Sequence, residues 1–188
     1  MTETNTTSTK KLKVLDLIYI AIFSVLISIC AWVTIPGIVP FTLQTLGIFC
    51  TVGLLGGRRG TITLVIYLLL GIIGLPVFAG FRSGLGVLLG TTGGYIIGFV
   101  CIALVYWLIT SLFGEKTWCK ILGMVLGLIV CYAFGTVWYM VAYASQTGST
   151  GLLAVLGLCV FPFILPDLAK LCLAMIIIKS LQKHIHIQ

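Results

Sequence analysis

Asp167 and Lys170 lie in the run Pro166-Asp167-Leu168-Ala169-Lys170, the one acid and one lysine set deep inside long apolar sequence. Spaced i, i+3, they share a helix face. A carboxylate beside an ammonium can accept from one ligand group and donate to another. Either charge costs about 2.5–3.5 kcal/mol at the centre of a bilayer on insertion scales, and charges retained there mark function by default. The structural alternative is an ion pair that holds one helix in place. Arg82, the one arginine far from any other base, is its candidate partner.

Arg82 sits in residues 74–99, GLPVFAGFRSGLGVLLGTTGGYIIGF, a glycine-rich stretch between apolar segments. Glycine costs a helix about 0.5–1 kcal/mol relative to alanine. Its density here points to bent backbone, or backbone approached closely, and irregular backbone at membrane depth belongs where protein or a cavity surrounds it. Gly84-Leu85-Gly86-Val87-Leu88-Leu89-Gly90 is not a dinucleotide fingerprint, and no P-loop exists anywhere in the chain. Gln44 opens one apolar run; Tyr95 starts another; Trp138, Tyr139 and Tyr143 close a third. Those aromatics read either as an interfacial belt or as the wall of a cavity.

Catalytic and metal chemistry find little to stand on. The only histidines, His184 and His186, lie in the C-terminal tail, far from Ser83 and from any intramembrane metal position. Seven cysteines form no CxxC pair and read as small buried hydrophobes. The expectation is a protein that is not an enzyme, with no metal and no cofactor of its own.

The elements that must position these groups follow from composition. The chain is 60% hydrophobic and 8% charged with mean hydropathy +1.24, against roughly 25% charged residues in a soluble domain. It reads as an all-α integral membrane protein of six transmembrane helices. A disordered tail is expected over residues 1–13, the membrane domain over 14–183 and a short tail over 184–188. The expected spans are Val14 to Ile35; a short run ending at Leu55; Thr61 to Ile73; about 87 to Phe113; Ile121 to Tyr143; and a sixth running from near Pro166 after a separate turn or short helix. Gly56-Gly57-Arg58-Arg59-Gly60 is expected as a tight basic turn, and Asp16 as interfacial. The first apolar run exceeds a signal-peptide core and no cleavage-type site follows it.

Orientation follows from the bases. Nine of eleven, Lys10, Lys11, Lys13, Arg58, Arg59, Lys116, Lys120, Lys179 and Lys183, fall on one side if six spans alternate. The positive-inside rule makes that side cytoplasmic, with both termini, and sets residues 74–99 outside. Basic clusters between apolar runs argue for membrane orientation and against nucleic acid. Ala21, Ser24, Ser28 and Ala31 give the first span a small-residue stripe, suited either to internal packing or to contact with another membrane chain.

Three stretches in order, FTLQTLGIFCTVGLLGGRRG, GLPVFAGFRSGLGVLLGTTGGYIIGF and FPFILPDLAK, closely resemble the BioY family over roughly residues 14–181. Its members are the biotin-specific S components of energy-coupling factor (ECF) transporters. The resemblance implies a six-helix S-component fold with an outward-facing biotin site. It also implies a membrane coupling subunit and two cytoplasmic ATPases as partners, ATP being used by those partners. Asp167 and Lys170 match the family's site pair, Arg82, Gly84 and Gly86 its external loop, and Gln44 its FTLQT element. Ala21, Ser24 and Ser28 stand where the family has an alanine-rich contact stripe. Thr91 and Pro166 depart from the family's more usual proline and glycine. The expected function is biotin capture at the cell membrane for an ATP-driven importer. From the residues alone, the alternative is a proton- or ion-coupled transporter with Asp167 as the titrating group.

Overall fold

A computed structural model describes residues 13–37, 39–147 and 151–183. The expected tails, up to residue 12 and over 184–188, lie outside them. Helix α1 (Val14–Trp32) ends three residues earlier than expected. Val33, Thr34 and Ile35 leave the helix ahead of Pro36, which disfavours helical backbone in the residue before it. Strand β1 (Thr34–Ile35) then pairs antiparallel with β2 (Phe41–Thr42), Thr34 opposite Thr42. This hairpin is the one sheet among the described residues, and the fold is otherwise helical as expected.

Helix α2 (Gln44–Ile72) is two helical arms joined at Gly56, whose non-helical backbone, φ 79° and ψ 171°, reverses the chain. Gln44 Nε2 donates to the Tyr67 hydroxyl at 2.8 Å, whereas a straight helix would set the two about 35 Å apart at 1.5 Å per residue. The expected basic turn is this reversal. Its arms, 44–55 and 57–72, are short for a bilayer of roughly 30 Å. They are shielded by neighbours instead: Ile48, Phe49, Val52, Leu64 and Tyr67 have no exposed surface. Asp16, expected at the interface, is buried there by a 2.9 Å ion pair to Arg59 on the second arm.

The glycine-rich stretch gives a loop with a single 3-10 turn (Ala79–Phe81), the short helix α3 (Leu85–Leu89) and then α4 (Gly93–Phe113). The long fourth span expected from about 87 is therefore broken, because Gly90 takes extended backbone before α4 begins. Helix α5 (Thr117–Thr147) is longer than expected. Helix α4 lies on it through close glycine contacts: a Cβ on Gly94 would stand 2.2 Å from Trp138 Cβ, and one on Gly127 would stand 2.9 Å from Ile102 Cα. Helices α6 (Leu152–Cys159) and α7 (Phe161–Gln182) part at Val160. The separate short helix expected ahead of the sixth span is α6, and the span itself starts at Phe161, one to two turns before Pro166. Pro162 occupies the first turn, where its missing N–H is not needed. Pro166 is inside the helix.

Among the described residues, five helices are long and apolar enough to cross a membrane, with α6 and α7 counted as one. With α2 folded back at Gly56 and the short α3 and α6 set aside, the described residues form six long helical segments. The stripe on α1 divides. Ser24 and Ser28 are buried, Ser24 Oγ donating to Ile20 O at 2.8 Å and to Thr63 O at 3.4 Å on α2. Packing inside the chain occupies them, so neither offers a surface to another chain in this arrangement. Ala21 is exposed.

Candidate binding site

The polar centre lies at the end of the bundle opposite the Gly56 reversal, where α7 meets the start of α2. Asp167 Oδ1 accepts from Lys170 Nζ at 2.8 Å and from Thr45 Oγ1 at 2.9 Å. Its Oδ2 accepts from the Tyr132 hydroxyl at 2.6 Å. Lys170 Nζ also donates to the Thr42 carbonyl at 2.6 Å and stands 4.3 Å from the Phe41 ring centroid. Asp167 is 3% and Lys170 7% exposed. Burial that deep is tolerable only because each charge is paired and hydrogen-bonded. Lys170, and not Arg82, is the ion-pair partner of Asp167.

Hydrogen-bond capacity decides what this centre can still do. An ammonium carries three N–H donors, and two lone-pair positions belong to each carboxylate oxygen. Among the described residues, Lys170 uses two of its hydrogens, Oδ1 is filled and Oδ2 takes one donor. One charged donor and one charged acceptor remain side by side.

These groups open into a mostly apolar cavity lined by Val87, Ile96, Phe99, Leu128, Phe78 and Phe163, with Gln44, Arg82 and Tyr95 also on its wall. Gln44 is 4% exposed, and Tyr67, to which it donates, itself donates to the Val77 carbonyl at 2.9 Å. The Gln44 side-chain carbonyl oxygen makes no hydrogen bond among the described residues. Tyr95 hydroxyl lies 3.2 Å from Thr136 Oγ1. Arg82, an exposed residue that contributes to the cavity lining, donates its Nε to Ala79 O at 3.1 Å, and the other guanidinium nitrogens make no hydrogen bond among the described residues.

Five of the expected site residues do not line this cavity. Trp138 donates its indole N–H to Gly90 O at 3.0 Å and so braces the break before α4. Tyr139 and Tyr143 stack on each other at 5.5 Å, and Tyr139 is buried with Val155 and Val160 near α6. Gly84 closes the loop, donating to Gly71 O at 2.7 Å, and Gly86 lies in α3 with open space around it. Tyr132, Thr45 and the Thr42 carbonyl were not legible as site groups. A signal for Tyr132 existed: it stands seven residues before Tyr139, two helical turns along one face of α5.

Residues 4–187 match the BioY family. The chain belongs to the BioY family. This BioY chain is 39% identical over 169 residues to the biotin transporter BioY of Thermotoga maritima, covering 89% of this chain and 96% of the relative. It is 36% identical over 172 residues to the probable biotin transporter BioY of Pyrococcus horikoshii, covering 91% and 98%. Among solved structures, the S-component for biotin from an ECF-type ABC transporter is similar with a TM-score of 0.77 at 30% identity, over 91% of this chain and 92% of that one. The six-helix bundle is an S-component fold, and the BioY chain is a multi-pass membrane protein.

Proposed function

We propose that this BioY chain captures biotin and takes it up as the substrate-binding subunit of an ATP-driven ECF importer. One observation carries the chemistry: the unused Lys170 donor beside the unused Asp167 Oδ2 acceptor, at the polar end of an apolar cavity. A cyclic urea presents the complement, an N–H beside a carbonyl oxygen. Asp167 accepts from the ureido N–H and Lys170 donates to the ureido oxygen, both charge-assisted bonds. The Gln44 carbonyl oxygen is an acceptor for the second N–H. Phe78, Phe99, Phe163 and Leu128 enclose the fused ring, Tyr95 borders it, and Arg82 meets the carboxylate of the valeryl tail.

The same reading supplies the partners and the orientation. A coupling subunit in the membrane and two cytoplasmic ATPases provide the energy, since the BioY chain carries no nucleotide-binding loop. Both termini and the Gly56 turn face the cytoplasm, following the distribution of bases. The cavity then faces outward. The contacts favour a binding centre over an ion-coupled one, because Asp167 is already paired with Lys170 and accepts from Thr45 and Tyr132.

The test is equilibrium binding of labelled biotin to the detergent-purified chain, competed by desthiobiotin, thiamine and riboflavin. Desthiobiotin, which keeps the ureido ring, is expected to compete while the two unrelated vitamins do not. Absence of biotin binding at micromolar concentration overturns the reading.

A further inference from the structure

The loop between α2 and α3 is built as a strap across the cavity. It begins and ends on glycines in left-handed backbone, Gly74 at φ 105° and Gly84 at φ 89°, where other residues would be strained. Between them the chain closes on itself, Phe78 N–H donating to Arg82 O at 3.1 Å. Phe78 is the inner anchor, 1% exposed and edge-on to Tyr67 with ring centroids 5.7 Å apart.

The outer anchor is Trp32, the last residue of α1. Its indole N–H donates to the Pro76 carbonyl at 2.7 Å, and its ring stacks on Phe81 at 5.0 Å with 23° between planes. Phe81 is the one non-glycine residue with positive φ among those described, at 57°. Bulky side chains keep that conformation only when their surroundings impose it. Phe81 is 62% exposed, so the fold interior does not impose it. Two contacts hold it instead: the Phe78–Arg82 closure of the loop and the stack on Trp32. Arg82 is the next residue along the chain, and the direction it leaves the strap depends on the backbone at Phe81.

We propose that Trp32 is a positioning residue for the substrate's carboxylate: by holding Phe81 in left-handed backbone it aims Arg82 into the cavity. Without the indole, Phe81 relaxes to negative φ and turns the following peptide, carrying the guanidinium off its target. Trp32 touches no part of the ligand itself. The inference rests on the reading that Arg82 meets the biotin carboxylate.

The experiment measures affinity for biotin and for biotinamide, whose tail is uncharged, on the purified chain. Trp32→Ala is expected to weaken biotin about tenfold and biotinamide less than about threefold, with Trp32→Phe, which keeps a ring but loses the N–H, in between. In an Arg82→Ala background, adding Trp32→Ala is expected to change biotin affinity by less than about twofold, because the group it positions is gone. Equal weakening of both ligands, no weakening, or an undiminished effect in the Arg82→Ala background overturns the positioning role and leaves biotin capture standing. If Arg82→Ala alone weakens both ligands equally, the carboxylate assignment falls, and the role of Trp32 with it. Should Trp32→Ala not purify as folded protein, Trp32→Phe and Phe81→Ala carry the same comparison.

Discussion

Tyr132 on α5 donates its hydroxyl to Asp167 Oδ2 on α7 at 2.6 Å, as short as the Lys170 contact to the Thr42 carbonyl and the one bond that ties the carboxylate to α5. Hydrogen bonds to charged groups contribute about 1.5–3 kcal/mol. Tyr132→Phe removes the donor and keeps the ring, so it is expected to weaken biotin by about 10- to 100-fold, at 1.4 kcal/mol per tenfold. Calorimetric or radioligand binding on the purified variant checks this. Wild-type affinity would show that Asp167 needs no such tie.

The Asp167–Lys170 pair leads to a prediction about stability without ligand. Removing one partner of a buried ion pair leaves an uncompensated charge and costs about 3–5 kcal/mol, whereas replacing both is far milder. Lys170→Met is therefore expected to lower the unfolding temperature clearly, and Asp167→Asn with Lys170→Met to recover most of the loss. Neither variant is expected to bind biotin. Thermal unfolding in detergent without biotin reads the first part; additive losses in the double variant would contradict the pairing.

Glycine placement separates close contact from open space. A Cβ on Gly135 would lie 2.2 Å from the Tyr95 ring, while one on Gly86 meets nothing within 4 Å. Gly135→Ala is expected to push Tyr95 toward the ligand and weaken biotin about tenfold, and Gly86→Ala to stay within about twofold of wild type. Paired binding curves decide it, and a Gly86→Ala loss as large as that of Gly135→Ala would refute the distinction.

Much of this was legible in the chain for physical reasons. Apolar runs and basic turns located the helical segments, including the reversal at Gly56, because membrane burial and the positive-inside rule act on composition. Asp167 and Lys170 stood out because charges inside apolar sequence are costly. The glycine-rich stretch showed that something bends there but not which glycine does what: Gly74, Gly80 and Gly84 bend backbone, Gly94 and Gly98 admit α5, and Gly86 does neither. Tyr132 and Thr45 escaped notice because hydroxyl donors carry no charge penalty and look like any other membrane Tyr or Thr. Trp138 misled for the converse reason, since an aromatic residue near a membrane surface serves a wall and a brace with the same side chain.

The small-residue stripe on α1 gives the last prediction, because its two halves face different neighbours. Ser24 is buried with its hydroxyl against the Thr63 carbonyl, whereas Ala21 is exposed. Enlarging a fully packed position forces backbone shifts costing typically about 1–3 kcal/mol. Ser24→Leu is thus expected to destabilise the isolated subunit and to weaken biotin binding by separating α1 from α2. Ala21→Leu is expected to leave both unchanged. If the exposed half of the stripe meets the coupling subunit, Ala21→Leu reduces uptake by whole cells while biotin binding by the purified subunit stays at the wild-type level. Uptake and binding that fall together in Ala21→Leu would place that residue in the fold's own packing, and uptake that stays at the wild-type level would place the contact elsewhere.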